Sequence, residues 1–203
     1  MSKRNLTLND RQKDILREIA NICAGNAATS LSQLINKKIE MNVPNVHFIR
    51  VEEVPECVGG AETLVVGVVC QVFGDAPGVI LLLFPQKDAR VLARILTGKQ
   101  VEDGIFTEMD QSSVKEAGSI LAAAYLNTLS GFTNLGLIPS TPSMVMDMAG
   151  ALVDYILIEL SAVSEYALLI DSWFIDADRQ VKGHFFLLPN PGSLKAILKA
   201  IGD

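Results

Sequence analysis

A chain of 203 residues that is 49% hydrophobic and 20% charged carries enough apolar side chain for one sizeable core, which excludes an intrinsically disordered segment. Its 23 acidic residues outnumber 17 basic ones for a formal charge of −6, and Lys37-Lys38 is too short a basic run to hold a phosphate backbone, so nucleic acid is excluded as a partner. Three cysteines (Cys23, Cys57, Cys70) without CxxC spacing, and only two histidines, argue for reduced thiols and against a disulfide framework or a zinc site.

The first twenty residues are charged and lack the apolar core of a secretory signal. Asn9 or Asp10 caps a predicted helix to about Ala24, where Gly25 interrupts it before Asn26–Leu34 resumes the helical pattern. Short strands follow at Glu40–Asn42 and Val46–Val51. Two aliphatic runs, Thr63–Val72 and Gly78–Phe84, flank Gly74-Asp75-Ala76-Pro77-Gly78 and predict a hairpin. Pro85 ends the second strand, and Asp88–Leu96 is helical up to Gly98.

The second half repeats this order. A long helix from Thr107 to Ser130 precedes Pro139 and Pro142, and a helical segment covers Met146–Ser161, with no evident counterpart after Pro44. Strands Tyr166–Ile175 and His184–Leu188 flank a turn at Asp176–Gly183, and Pro189 and Pro191 lead into a last helix, Ser193–Ile201. The longest apolar stretch, Met144–Ile170, is interrupted by Asp147, Asp154, Glu159 and Glu165, too often to span a bilayer. A cytoplasmic location is expected. The fold class expected is α+β, with a pseudo-twofold internal repeat (about 8–99 and 106–203) forming one continuous, mainly antiparallel sheet flanked by helices. No flexible linker separates the halves, so one domain, 1–203, is expected.

The repeat carries a polar constellation. Glu18, Asn21 and Pro44 recur 98 positions on as Glu116, Ser119 and Pro142. On a helix, Asp14, Glu18 and Asn21 fall within roughly 60° of one another. Ile15, Ile19 and Ile22 lie on a face about 100° away, with Leu16 and Cys23 beyond, and are expected to anchor the helix. Ser112, Glu116 and Ser119 repeat the geometry beside Val114, Ala117 and Ile120. A solvated helix face explains either stripe alone; the duplication is what points to a shared task.

Asp14-x3-Glu18-x2-Asn21-x22-Pro44 resembles the active-site signature of the CheC/CheX/FliY chemotaxis phosphatases. The stretches EIANICAGNAATSLSQLINKKIEMNVP and YLNTLSGFTNLGLIPSTP are similar to the two halves of CheC-like members. Ala20 and Cys23 depart from the glycines common in the family and bear on packing. The resemblance implies hydrolysis of the aspartyl phosphate on the response regulator CheY. Asn21 would orient an in-line water, Glu18 would pair with the regulator's lysine, Asp14 would add a polar contact, and Pro44 would shape the backbone. Ser119 is shorter than Asn, so the second site, with Glu116, Ser112 and Pro142, is expected to be weakened. The resemblance also implies no cofactor of the chain's own, Mg2+ brought by the regulator, CheD as a possible partner at Met146–Ser161, and a monomer. The alternative is a non-catalytic CheY- or CheD-binding regulator.

Other features have plainer readings. CAGNAATS lacks the preceding strand and the lysine of a phosphate-binding loop. Asp147, Asp154 and Glu159 read as a solvated helix face, Asp75 and Asp176 as turn residues, and His47 and His184 as strand positions.

Overall fold

The computed structural model describes residues 9–43, 45–98, 106–159, 165–176 and 179–202, so Pro44 lies outside the described residues. The first helix, α1 (Asp10–Ile35), opens at Asn9, whose side-chain oxygen accepts from the Gln12 N–H at 2.8 Å while the Gln12 side chain accepts from the Asn9 N–H at 3.1 Å. It closes at Asn36, which takes the left-handed conformation and returns its N–H to the Ser32 carbonyl. The break expected at Gly25 is absent. Leu16, Ile19, Ala20, Cys23, Ala24, Ala27 and Leu31 form a buried stripe on both sides of that glycine. Burying the stripe outweighs the roughly 1 kcal/mol that a mid-helix glycine costs.

Strands β1 (Glu40–Asn42) and β2 (Val46–Arg50) follow, then a 3-10 turn (Val51–Glu53) and the short α2 (Val54–Cys57). The expected hairpin is β3 (Leu64–Gly74) with β4 (Gly78–Pro85), and α3 (Gln86–Thr97) stops at left-handed Gly98. The second long helix, α4 (Glu108–Thr133), runs three residues past the expected end at Ser130 and closes at left-handed Asn134. It has the 26-residue length of α1, and Asp110 reciprocates the cap made by Thr107. Then come β5 (Leu137–Pro139), β6 (Ser143–Met148), α5 (Ala149–Glu159), β7 (Tyr166–Asp176), β8 (Arg179–Pro189) and α6 (Pro191–Ala200).

Two expectations need correction. The helix predicted over Met146–Ser161 begins only at Ala149, because Met146 and Met148 pair with Val66 and Leu64 as part of β6. It does have a counterpart at the same place in the first half, the 3-10 turn and α2. Of the turn expected at Asp176–Gly183, the described residues Asp176 and 179–183 are strand: β7 and β8 stay paired out to Asp176 opposite Arg179. There β1 also pairs with β7, Glu40 opposite Ile175, so the ladder is three strands wide where the sequence looks turn-like.

The eight strands among the described residues form one antiparallel sheet in the order β1-β7-β8-β4-β3-β5, with β2 also on β7 and β6 also on β3. The opening strands of each half therefore pair with the other half. The halves meet along β4 and β8, Leu81 opposite Phe186. Strand β4 is buried on both faces, which is why Val79–Phe84 reads as an unbroken apolar run. On one face α1, α3, α4 and α6 cover Val66, Val68, Ile80, Leu82, Phe84, Phe185 and Leu187. On the other, α2 and α5 cover Val65, Leu81, Leu83, Leu169 and Phe186.

The helix layer sits close to the sheet. At Gly118 of α4, a Cβ would stand 2.6 Å from Val68 Cγ1 on β3. A polar pair crosses the sheet: buried His184 on β8 meets half-buried Asp171 on β7, Nδ1 to Oδ1 at 2.9 Å. A carboxylate only accepts, so Nδ1 donates. That bond from His184 holds the Asp171 carboxyl below its ordinary range, against the opposing effect of burial. His47, in contrast, is exposed on β2.

Gly118→Leu is expected to lower stability by about 1–3 kcal/mol through overpacking, read as a lower urea midpoint, and Val68→Ala added to it should restore part of the loss. Asp171→Asn is expected to cost about 1–3 kcal/mol near neutral pH. A carboxylate with a depressed folded pKa stabilises above its unfolded value of about 3.9, and that contribution fades as pH falls through the folded value. The stability gap between Asp171→Asn and the unsubstituted protein should therefore narrow below about pH 4, as chemical unfolding across pH would register.

Candidate functional site

Both polar constellations lie on the outer surfaces of α1 and α4. Asp14, Glu18 and Asn21 are exposed, as are Ser112 and Glu116, whereas Ser119 is half-buried. Among the described residues, no side-chain hydrogen bond or ion pair engages Asp14, Glu18 or Asn21. A carboxylate and a carboxamide one turn apart on a rigid helix, without internal partners, are free to engage another molecule. The carboxylate suits a cationic group. The carboxamide, which offers both a donor and an acceptor and has no useful pKa, can orient a ligand or water but cannot act as a general base.

The backbone that carries these groups is fixed from beneath. Leu16, Ile19, Ala20 and Cys23 of α1, and Val114, Ala117, Gly118 and Leu121 of α4, are buried against the sheet and each other. The apolar stripe differs from the one expected. Ile19 is buried and Ile15 half-buried, but Ile22 remains 40% exposed next to Asn21. Ala20 and Ala24 take the inward direction that Ile22 was expected to share, because small residues let α1 pack closely against α4.

The two helices run antiparallel. Leu34 and Ile35 near the end of α1 share a groove with Met109, Ser112 and Glu116 near the start of α4. Ile22 and Asn26 of α1 share another with Asn127, Thr128, Gly131 and Phe132 near the end of α4. Each constellation thus lies beside the far end of the other helix, next to exposed apolar side chains: Ile22 and Phe132 at the first, Leu34 and Met109 at the second. The sequence reading placed Ile22 in the anchoring stripe and did not single out Phe132, Leu34 or Met109. Phe132 and Met109 carried a signal, as large apolar groups near helix ends, but Ile22 and Leu34 fit a core stripe equally well.

The remaining candidates separate from this surface. Pro142 is half-buried in the link between β5 and β6, and that link is tied to β3 where Ser140 Oγ accepts from the Gln71 N–H at 2.9 Å. Gly25 lies inside α1 and forms no phosphate loop. Asp147 belongs to β6, Asp154 is an exposed residue of α5, and Asp75 accepts from the Gly136 N–H at 2.7 Å, as a loop tie. Burial pushes the Cys23 thiol up to about 12 and the Cys70 thiol to about 11; burial and the nearby Asp171 and Glu53 charges raise Cys57. None is a ready thiolate nucleophile near neutral pH. Among the described residues, no three His, Cys, Asp or Glu converge as a metal site, and no helix is long and apolar enough to cross a membrane.

Comparison with known proteins bears on this surface. The profile of the CheC-like family matches residues 12–48, the segment that contains Glu18, Asn21 and Pro44. The chain is 36% identical over 200 residues to the CheY-P phosphatase CheC of Bacillus subtilis, covering 96% of each chain. Its fold is similar to that of Thermotoga maritima FliY, with a TM-score of 0.77 at 19% identity, covering 97% of this chain and 98% of that one. It is also similar to a chain in the CheX–CheY–BeF3–Mg2+ complex of Borrelia burgdorferi, with a TM-score of 0.51 at 17% identity, covering 83% and 96%.

Proposed function

This chain belongs to the CheC-like family, and from that premise we propose that it is a phosphatase that hydrolyses the aspartyl phosphate of the response regulator CheY. The observation that carries the reading is the exposed Glu18–Asn21 pair on a helix locked from beneath. It lies in the matched segment of a chain that is 36% identical to a CheY-P phosphatase.

The chemistry suits the residues. An aspartyl phosphate is an acyl phosphate, and its hydrolysis needs a water placed in line with phosphorus more than it needs a strong base. The Asn21 carboxamide oxygen accepts a hydrogen bond from that water and fixes its approach. The water oxygen bonds to phosphorus as the bond to the aspartyl oxygen breaks. The regulator's carboxylate leaves, and the water's proton ends on the released phosphate. Glu18 pairs with a lysine of the regulator's pocket and so docks α1. Asp14 adds a polar contact, and Pro44 shapes the segment after α1. The chain brings no cofactor of its own; Mg2+ arrives with the regulator.

The second face is weaker on this reading. Ser119 is half-buried and shorter than Asn, and missing the in-line position by about 1 Å costs on the order of a hundredfold in rate. Glu116 and Ser112 are exposed and still suit docking, which favours a second reading for that face: it captures the regulator without efficient turnover. The two faces would derive from fused repeats, 8–99 and 106–203, of a single domain. The recurring element order and the palindromic strand order support this. CheD is a further proposed partner at α5, whose Tyr155 and Ile158 are 55% and 76% exposed. A cytoplasmic monomer completes the proposal.

With phosphorylated CheY as substrate, Asn21→Ala is expected to lower phosphate release about a hundredfold, while Ser119→Ala changes it less than about twofold. The opposite ranking would transfer the activity to the α4 face. Glu18→Ala is expected to raise KM more than it lowers kcat, since its role is docking.

A further inference from the structure

α1 carries a glycine that its own fold does not require. Gly25 is exposed in mid-helix, its φ is not positive, and a Cβ built on it meets nothing within 4 Å. Alanine there would favour the helix. Two other helical glycines have internal reasons: Val68 crowds Gly118, and Ala61 lies 3.1 Å from a Cβ at Gly150. Gly192 meets nothing within 4 Å but stands in the first turn of α6, not in mid-helix. Gly131 of α4 shares the anomaly, being exposed with nothing within 4 Å.

Gly25 and Gly131 border the same place. Helical side chains lean toward the helix N-terminus, so a side chain at 25 would lie over the turn that carries Asn21 and Ile22. One at 131 would lie over Asn127 and Thr128, across the groove that also holds Ile22 and Asn26. The residues 98 positions away from Gly25 and Gly131 are Ala123 and Gln33, so the Ser119 face is not bared in this way. Asn26 and Asn127, both exposed at the groove, each offer a donor and an acceptor, the complement of a peptide group.

We propose that Gly25 is a positioning residue for the phosphatase reaction: its bare backbone lets a main-chain segment of the phosphorylated regulator approach α1 closely enough for Asn21 to reach the phosphoryl group. Gly131 clears the opposite wall, and the Asn26 and Asn127 amides hold the segment. This inference rests on the phosphatase reading above.

The test separates stability from activity. Gly25→Ala and Gly25→Gln should both raise the thermal midpoint by about 2–4 °C, because both residues favour helix and meet no internal neighbour. Gly25→Gln should nevertheless lower kcat/KM for phosphorylated CheY about tenfold or more, mainly through KM, and Gly25→Ala should lower it by a smaller factor, about threefold to fivefold. If the unsubstituted protein does not accelerate phosphate release, the phosphatase reading fails. If it does, and Gly25→Gln loses less than about threefold, only the role of Gly25 is overturned.

Discussion

The rest of the structure depends on how closely α1 and α4 lie against the sheet and against each other. Alanine and glycine make that approach possible: Ala20, Ala24 and Ala27 line the inner side of α1, and Ala117, Gly118 and Ala122 that of α4. With so little side chain between backbone and sheet, small displacements meet Val68 and its neighbours at once, and each helix has one seating. The outward groups inherit that rigidity. The role proposed for Asn21, holding a water in line, needs a backbone fixed to within a fraction of an ångström, which a core packed this closely can supply.

The sheet adds a second constraint. Because β1 and β2 pair on β7 while β5 and β6 pair on β3, neither half completes its own sheet. Both polar faces therefore ride on one body with one core layer beneath them. The first face, with Asn21, is open beside exposed Ile22 and Phe132, while the second presents a half-buried Ser119 beside Leu34 and Met109. On the proposed reading, a shared body would let one face carry the chemistry and the other serve as a docking surface.

Much of this was legible in the sequence, for identifiable reasons. The β3–β4 hairpin was visible because its central strand is buried on both faces and its turn concentrates Gly, Asp and Pro. The outward placement of Glu18 and Asn21 followed from helical spacing alone. The helix through Gly25 was hidden, because local propensity says nothing about the stripe buried beneath it. Ile22 was assigned to the core since an isoleucine at helical spacing looks the same at a core or at a docking surface. The exchange of opening strands was invisible, as β1 and β2 carry no mark of which partner strand they meet. Met146 and Met148 looked helical because their strand lies on the sheet edge and both side chains are exposed, which removes the alternation that marks a half-buried strand.

The central claim is that the Asn21 carboxamide reaches into the regulator's phosphorylated pocket. The most direct measurement is a structure of this protein bound to beryllofluoride-activated CheY, in which the fluoride group stands for the phosphoryl oxygens. The account predicts α1 seated in that pocket, with the Asn21 side chain within hydrogen-bonding reach of the fluoride group or of a water in line with it. A complex in which CheY binds elsewhere, for instance over Tyr155 and Ile158 of α5, and leaves Asn21 in solvent, would contradict it.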